Sequence, residues 1–174
     1  MQLSSAPLFL IGPTGAGKTT VGRLLASRLK RRFIDLDEEI ESRCGADIPW
    51  IFDVEGESGF RAREAKALEL LCETERAVIS TGAGVVLAAD NRARLSEARP
   101  RVIWLHVDLD TQYERLKHDK QRPLLQVEDP KAKLQGMAAE REPLYAECAG
   151  IRVQTGKSSP ASVVRRILEA LKEA

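Results

Sequence analysis

Residues 8–20 read LFLIGPTGAGKTT, and this stretch decides the fold. Leu8–Ile11 is a continuous apolar run, as expected of a strand that is buried on both faces of a parallel sheet. The loop from Gly12 to Thr19 matches the pattern G-x-x-x-x-G-K-[ST] at every fixed position. An amphipathic helix is predicted directly afterwards, from Lys18 to about residue 30. A strand, a glycine-rich loop and a helix in this order predict a phosphate-binding loop, or P-loop.

The chemistry of a P-loop requires these residue types. Glycines let the backbone turn tightly and direct successive N–H groups at phosphate oxygens, and the following helix adds its positive N-terminal end. Lys18 is expected to reach the β- and γ-phosphates, and Thr19 to offer a hydroxyl to Mg²⁺. The alternative is a glycine-rich turn without a ligand. The loop residues expected to contact the nucleotide are Gly15, Ala16, Gly17, Lys18, Thr19 and Thr20.

Length and charge limit the other possibilities. The chain has 174 residues, which suits one domain, and its 27 Lys and Arg nearly balance 26 Asp and Glu. A net charge of +1 gives no broad basic field, so we expect neither nucleic acid nor a membrane as a partner. Cys44, Cys72 and Cys148 form no Cys-x-x-Cys pair, which predicts free thiols in the cytoplasm.

Short β-rich runs alternate with longer helical runs along the chain. This alternation is typical of an α/β protein with a parallel sheet covered by helices on both faces. The residues alone leave the strand order open. The predicted strands are Leu8–Ile11, Phe33–Leu36, Ala77–Ser80, Val102–Val107 and Ile151–Gln154. After the first helix, further helices are predicted over Asp37–Cys44, Ser58–Cys72, Asn91–Ala98, Asp110–Leu116, Pro130–Tyr145 and Pro160–Lys172, with a short helical piece at Pro49.

Two acids, Asp35 and Asp37, close the second predicted strand. Side chains two apart on a strand point the same way, and ligands gather beyond the carboxyl ends of parallel strands. We therefore expect Asp35 to lie near Mg²⁺, directly or through its water shell. Asp37 is expected to accept hydrogen bonds from substrate hydroxyls and to be able to act as a base. The alternative is that one acid caps the next helix.

Six motifs occur along the chain in a fixed order. They are Gly12–Thr19, Asp35–Asp37, Gly56–Arg61, Gly82–Gly84, Arg122–Leu125, and Arg141 before Pro143–Tyr145. In this combination the chain resembles the shikimate kinase family over nearly its whole length. The resemblance implies transfer of the γ-phosphoryl group of ATP to the 3-hydroxyl of shikimate, a step of aromatic amino-acid biosynthesis.

The resemblance also implies an architecture. It is a single domain over residues 1–174 with a five-stranded parallel sheet in the order 2-3-1-4-5. A substrate-binding subregion is expected at about residues 35–63, and a mobile lid at about residues 113–127. Closure of such a lid excludes the water that competes with the substrate hydroxyl.

Residue roles follow from the same resemblance. Asp37 binds the substrate hydroxyls, and Arg61 and Arg141 hold the substrate carboxylate, a pairing that suits the planar guanidinium fork. Gly82, Ala83 and Gly84 offer backbone N–H groups. On the ATP side, Arg122 belongs to the lid and reaches the phosphates, Arg115 stacks near adenine, and Pro160 lies in the adenine loop. The implied catalytic residues are Lys18, Asp37 and Arg122, and the implied metal ligands are Thr19 and Asp35.

Each arginine has a simpler interpretation. Arg61 can pair with Glu57 and Glu64 on a solvated helix face, Arg141 can pair with its neighbouring glutamates, and Arg122 can be an ordinary loop charge.

Ala83 departs from the three consecutive glycines common in the family. Alanine at a positive φ costs about 1 kcal/mol, so the fit of the substrate depends on the backbone there.

Rival functions share the P-loop. One is another small-metabolite kinase that acts on gluconate or a nucleoside monophosphate. The other is a non-catalytic sensor that uses this fold to bind an aromatic acid derivative. The retained Lys18, Thr19 and Asp35 favour a catalyst, and the two arginines favour a carboxylate acceptor. We expect a monomer.

Overall fold

Strands and helices alternate in the computed structural model, which describes residues 4–117 and 127–173. The strands are β1 (Leu8–Ile11), β2 (Arg32–Asp35), β3 (Ala77–Ser80), β4 (Val102–His106) and β5 (Ile151–Gln154). The helices are α1 (Lys18–Leu29), α2 (Leu36–Cys44), α3 (Ile48–Cys72), α4 (Ala89–Glu97), α5 (Leu109–Leu116), α6 (Pro130–Cys148) and α7 (Pro160–Glu173). Short 3₁₀ turns at Val85–Leu87 and Arg99–Arg101 were not predicted.

The strands form one parallel sheet in the order β2-β3-β1-β4-β5. Phe9 of β1 lies opposite Ile79 on one side and Val102 on the other. This confirms the α/β class and the strand order implied by the resemblance. Because the strands are parallel, their carboxyl ends share one edge, where the P-loop leaves β1.

Side chains of β1 alternate between two cores. Phe9 and Ile11 pack into a cluster with residues of α3, α4 and α6, while Leu8 and Leu10 pack into a second cluster with residues of α1 and α7. All four are at most 1% exposed. Helices therefore cover both faces of the sheet, as the continuous apolar run predicts.

The second strand ends earlier than the sequence predicts. Its predicted last residue, Leu36, is the first residue of α2. The Asp35 carboxylate accepts hydrogen bonds from the backbone N–H groups of Asp37 at 3.0 Å and Glu38 at 3.5 Å, which starts the helix at Leu36. The prediction that Asp35 and Asp37 share one strand is therefore wrong, since Asp37 lies in the first turn of α2.

Helix α3 joins two predicted pieces. Gly56 interrupts it with φ 70° and ψ −176°, so the helix runs in two segments on either side of this residue. That break separates the predicted piece at Pro49 from the predicted helix at Ser58. The remaining element ends agree within a few residues, and α6 continues to Cys148 beyond the predicted Tyr145.

Within residues 4–117 and 127–173, every helix is too short or too polar to cross a lipid bilayer.

Candidate active site

A cleft of about 570 Å³ opens at the carboxyl edge of the sheet. It is bounded by the P-loop, the start of α2, the turn after β3, the end of α5 and the start of α7. Twelve of the residues predicted for the site line it: Gly15, Ala16, Gly17, Lys18, Thr19, Thr20, Asp35, Asp37, Gly82, Ala83, Arg115 and Pro160.

The P-loop backbone depends on its glycines. Gly12, Gly15 and Gly17 have φ values of 140°, 77° and 89°, which residues with a side chain rarely adopt. A Cβ atom at Gly12 would overlap the carbonyl oxygen of Leu105 in β4. The chain can therefore turn from β1 into the P-loop only because residue 12 is a glycine.

Lys18 turns its ammonium group toward the loop itself. Its Nζ donates to the carbonyl oxygens of Gly12 at 2.8 Å and Pro13 at 2.9 Å. This places the cation at the floor of the cleft, where it attracts phosphate.

Thr19 and Asp35 meet at the end of β2. The Thr19 hydroxyl donates to Oδ2 of Asp35 at 3.2 Å, while Oδ1 of the same carboxylate caps α2. The alternative that one acid caps the next helix is therefore confirmed for Asp35, through its Oδ1. Its Oδ2 faces the P-loop helix, and the expected place of Asp35 near Mg²⁺ stays a prediction. A hydroxyl beside a carboxylate is the hard oxygen donor set that suits Mg²⁺.

Asp37 is a perturbed acid inside the cleft. Burial, and after it the nearby charges of Asp35 and Glu64, raise the pKa of its carboxyl from the ordinary 3.8 to about 6 against the opposing effect of Lys18. Its Oδ1 atom is buried and has no hydrogen-bond partner among the described residues. An acid in this condition can accept a proton near neutral pH.

Glu64 lies fully buried between the two predicted carboxylate-binding arginines. Arg61 Nη1 donates to Glu64 Oε2 at 2.8 Å, and the charge of Arg141 acts on the same carboxyl. Burial raises the pKa of Glu64 above its ordinary range despite both cations. Arg61 also lies 3.5 Å from Glu57. The interpretation of Arg61 and Glu64 as a solvated surface pair is therefore wrong, because Glu64 is 0% exposed.

The turn after β3 fits closely against these side chains. A Cβ atom at Gly84 would overlap the Arg61 guanidinium, and one at Gly82 would lie 3.1 Å from Glu64 Oε1 and 3.3 Å from Asp37 Oδ1. Ala83 does not have a positive φ, so the strain expected for alanine in place of glycine does not arise. The Tyr145 hydroxyl donates to the Ala83 carbonyl at 2.5 Å.

Helix α5 supports the P-loop from the side. Arg115 Nη1 donates to the carbonyl of Gly15 at 2.9 Å, and Nη2 donates to the carbonyl of Gly156 in the loop before α7. Gln112 Nε2 donates to the carbonyl of Thr14 at 2.9 Å. Arg115 thus joins the P-loop to the turn that leads to Pro160, whose helix is capped by Ser159.

Three predicted site residues stand apart from the lining of this cleft. Arg61 and Gly84 meet each other beside Glu64, and Arg141 lines a smaller cavity of about 170 Å³ on the α6 side. Arg122 lies outside the described residues, as does most of the predicted lid at about residues 113–127. Of that range, residues 113–116 belong to α5.

Sequence reasoning missed three residues, Glu64, Gln112 and Tyr145, as parts of the site. Glu64 falls four residues after Phe60 and four before Leu68, both of which are buried in α3. Gln112 falls four residues before the buried Leu116 in α5. A polar side chain within an apolar helical stripe is the signal that points to Glu64 and Gln112, because such a group must find a buried partner. Tyr145 closes the motif that follows Arg141, but nothing in the sequence indicates its hydrogen bond to Ala83.

Comparisons with known proteins agree with this fold. The family model described as shikimate kinase matches residues 14–172. The chain is 51% identical over 164 residues to a shikimate kinase of Halorhodospira halophila, covering 94% of this chain and 92% of that protein. It is also 51% identical to a shikimate kinase of Actinobacillus pleuropneumoniae serotype 5b, covering 94% of each.

A solved structure is similar throughout. The shikimate kinase of Acinetobacter baumannii in complex with shikimate superposes with a TM-score of 0.89 at 43% identity. The match covers 97% of this chain and 93% of that one.

Proposed function

The chain belongs to the shikimate kinase family, and from this premise we propose that it transfers the γ-phosphoryl group of ATP to the 3-hydroxyl of shikimate. ATP occupies the cleft over the P-loop, and shikimate occupies the adjoining region between Asp37, Arg61 and Arg141. The products are ADP and shikimate 3-phosphate, and the latter is used in aromatic amino-acid biosynthesis.

One observation carries the assignment of the acceptor side. Four buried polar atoms in the side chains assigned to the acceptor side lack hydrogen-bond partners among the described residues. They are the acceptors Asp37 Oδ1 and Glu64 Oε1 and the donors Arg61 Nε and Arg141 Nε. The Nε of Arg141 lies 3.8 Å from a Glu140 oxygen, beyond hydrogen-bond distance. Buried polar groups are normally paired. A ligand with both a carboxylate and hydroxyls, as shikimate has, supplies partners of both kinds.

The acceptor side positions the reacting hydroxyl. Arg61 and Arg141 bind the substrate carboxylate, and Glu64 holds Arg61 in place through its 2.8 Å hydrogen bond. The backbone N–H groups at Gly82, Ala83 and Gly84 face the same ligand. Asp37 accepts a hydrogen bond from the 3-hydroxyl, and with a pKa of about 6 it is mostly ionised at pH 7.5. It takes the hydroxyl proton as the oxygen bonds to the γ-phosphorus and the bond to the departing ADP oxygen breaks.

The donor side neutralises the moving phosphoryl group. Lys18 leaves its loop carbonyls for the β- and γ-phosphates, and Arg122 approaches them from the lid, as the family resemblance implies. Arg115 stacks near adenine, Pro160 borders it, and Thr20 with the loop amides contacts the phosphates. Thr19 and Asp35 hold Mg²⁺, which when bound offsets negative charge on the phosphate oxygens.

We further propose that the chain acts as a monomer in the cytoplasm, as one domain over residues 1–174 with the subregion and lid stated above. The three cysteines are free thiols, which suits a reducing compartment. A net charge of +1 gives no field that favours nucleic acid or an anionic membrane.

The first prediction tests the acceptor. ADP release is measured with ATP and Mg²⁺ while shikimate, gluconate and several nucleoside monophosphates are offered separately. We expect shikimate-dependent release at least 100-fold above the others, because a site built to pair a carboxylate and hydroxyls leaves its polar groups unpaired with the wrong ligand. No shikimate-dependent release from a folded chain would contradict the proposal, and release with gluconate would favour the rival kinase.

The same assay, applied to a substituted chain, tests the role proposed for Arg122 of the lid. Arg122→Ala is expected to fold normally and to lower kcat by 100-fold or more, because a cation on the transferring group stabilises the transition state. The matched control is Arg28→Ala, an exposed arginine of α1. Near-normal turnover in Arg122→Ala would remove this residue from the catalytic set while leaving the acceptor assignment intact.

A further inference from the structure

The carbonyl side of the P-loop is held by side chains. Lys18 donates to the carbonyls of Gly12 and Pro13, Arg115 donates to that of Gly15, and Gln112 donates to that of Thr14. In a trans peptide unit the C=O and N–H bonds point in opposite directions. A donor that fixes a carbonyl therefore also fixes the direction of the next residue's N–H group.

Burial and the start of α5 fix the position of the Gln112 side chain beside the P-loop. Its side chain is buried, with the residue 5% exposed, and its Nε2 lies 2.9 Å from the Thr14 carbonyl oxygen. Helix α5 presents it from a fixed start, because the Asp108 carboxylate accepts from the Thr111 N–H at 2.9 Å. One turn further on, Leu116 packs closely against Gly15. A Cβ atom added to Gly15 would lie 3.1 Å from the Leu116 side chain.

The peptide that Gln112 holds ends at a glycine, so its orientation depends on such contacts. It joins Thr14 to Gly15, which has a φ of 77° and no side chain to restrict it. A glycine peptide of this kind can present either its N–H or its C=O to the cleft. A carbonyl turned toward a phosphate would repel it, whereas the N–H group binds it.

We propose that Gln112 is a positioning residue of the nucleotide site, which holds the Gly15 N–H toward the β-phosphate by binding the Thr14 carbonyl. The inference rests on the proposed function, because it requires a nucleotide over the P-loop. Gln112 touches neither the nucleotide nor the acceptor. It acts through the peptide unit alone, so its removal weakens ligands that have a β-phosphate and spares ligands that lack one.

The test compares ADP with AMP. Dissociation constants of both are measured by calorimetry with Mg²⁺ on the full chain and on Gln112→Met, which keeps the length of the side chain and removes the donor. We expect ADP to bind about tenfold more weakly, since the loss of one partner of a buried hydrogen bond is of that order. AMP and shikimate should bind within twofold of the parent. Gln135→Met, an exposed glutamine of α6, is the matched control and should change nothing.

A second variant keeps the proposal testable if Gln112→Met folds poorly. In Gln112→Glu the ionised carboxylate repels the Thr14 carbonyl, whereas the protonated carboxyl can donate to it. Gln112 is 5% exposed, and burial raises the pKa of a carboxyl placed there. ADP affinity relative to the parent at the same pH is therefore expected to recover as the pH is lowered from 8 to 5.5.

Two results would overturn the role of Gln112. They are unchanged ADP binding in Gln112→Met, or equal weakening of ADP and AMP, which marks a general packing defect. A ratio of variant to parent ADP affinity that does not change with pH in Gln112→Glu would also contradict this role. If the parent chain itself fails to bind ADP, the proposed nucleotide site is refuted instead.

Discussion

At the scale of single residues, the role proposed for Asp37 opposes the stability of the fold. An acid whose pKa is about 6 in the folded chain and 3.8 ordinarily binds its proton more tightly when folded. Its contribution to stability is therefore fully present below about pH 3.8 and is lost as the pH rises through 6. At pH 7.5 the buried charge destabilises the fold, although the proposed mechanism uses that charge to accept a proton.

We predict that Asp37→Asn stabilises the chain while abolishing most of its activity. The free energy of unfolding should rise by about 1 to 3 kcal/mol at pH 7.5, because the desolvated charge and its repulsion by Asp35 and Glu64 are removed. The gain should shrink toward zero at pH 4, where the parent carboxyl is protonated. Urea denaturation at both pH values measures it.

The control for this prediction is Asp53→Asn, which alters an exposed acid of α3 and should change stability by less than about 0.5 kcal/mol. Equal stabilities of the parent and Asp37→Asn at pH 7.5 would mean that the charge of Asp37 is well solvated. The pKa of about 6 would then be wrong, and with it the suitability of Asp37 as a base at neutral pH.

At the scale of elements, two helical glycines have opposite surroundings. A Cβ atom at Gly22 of α1 would lie 2.5 Å from Phe33 Cε2 and 3.0 Å from Leu10 Cδ1. A Cβ atom at Gly136 of α6 would meet nothing within 4 Å. The absent side chain at Gly22 lets α1 approach the sheet closely, which sets the position of the helix N-terminus at the P-loop.

We predict opposite effects of the same substitution. Gly22→Ala should lower the free energy of unfolding by about 1 to 3 kcal/mol because it overpacks the contact between α1 and the sheet. Gly136→Ala should raise it by up to about 1 kcal/mol because alanine favours a helix and loses less entropy on folding. Thermal unfolding of the two variants and the parent measures both changes. A stabilising Gly22→Ala would show that α1 does not pack as closely as described.

At the scale of the whole molecule, the proposed acceptor site joins elements that are distant in the chain. Arg61 comes from α3, Arg141 from α6 and Asp37 from α2, and these elements share the core on one face of the sheet. A ligand that binds only the folded chain stabilises it by mass action. Shikimate alone should therefore protect the fold, without nucleotide.

We predict that shikimate at one hundred times its dissociation constant raises the free energy of unfolding by about 2.7 kcal/mol. Arg141→Met should lose this increase at the same shikimate concentration but keep the increase produced by ADP. The control Arg28→Met should keep both. Scanning calorimetry with each ligand measures the shifts, and an undiminished shikimate effect in Arg141→Met would remove Arg141 from the carboxylate site.

The local pattern of the sequence determined much of this protein. Residues 8–20 predict the buried strand, the P-loop and the following helix, because each depends on contacts between residues close in the chain. The alternation of strand and helix predicts the fold class for the same reason. The motif combination implied the family, and with it the strand order that the residues alone left open.

Tertiary structure decided the environment of the site. Gln112 and Thr14 are 98 residues apart, and Tyr145 and Ala83 are 62 apart, so no local pattern pairs them. Packing also placed Glu64 out of water between Arg61 and Arg141, and it gave the two oxygens of Asp35 different partners. Sequence specifies which groups are present and the conformation of short segments. Burial, charge and hydrogen bonding at the site depend on which distant segments the sheet brings to the same edge.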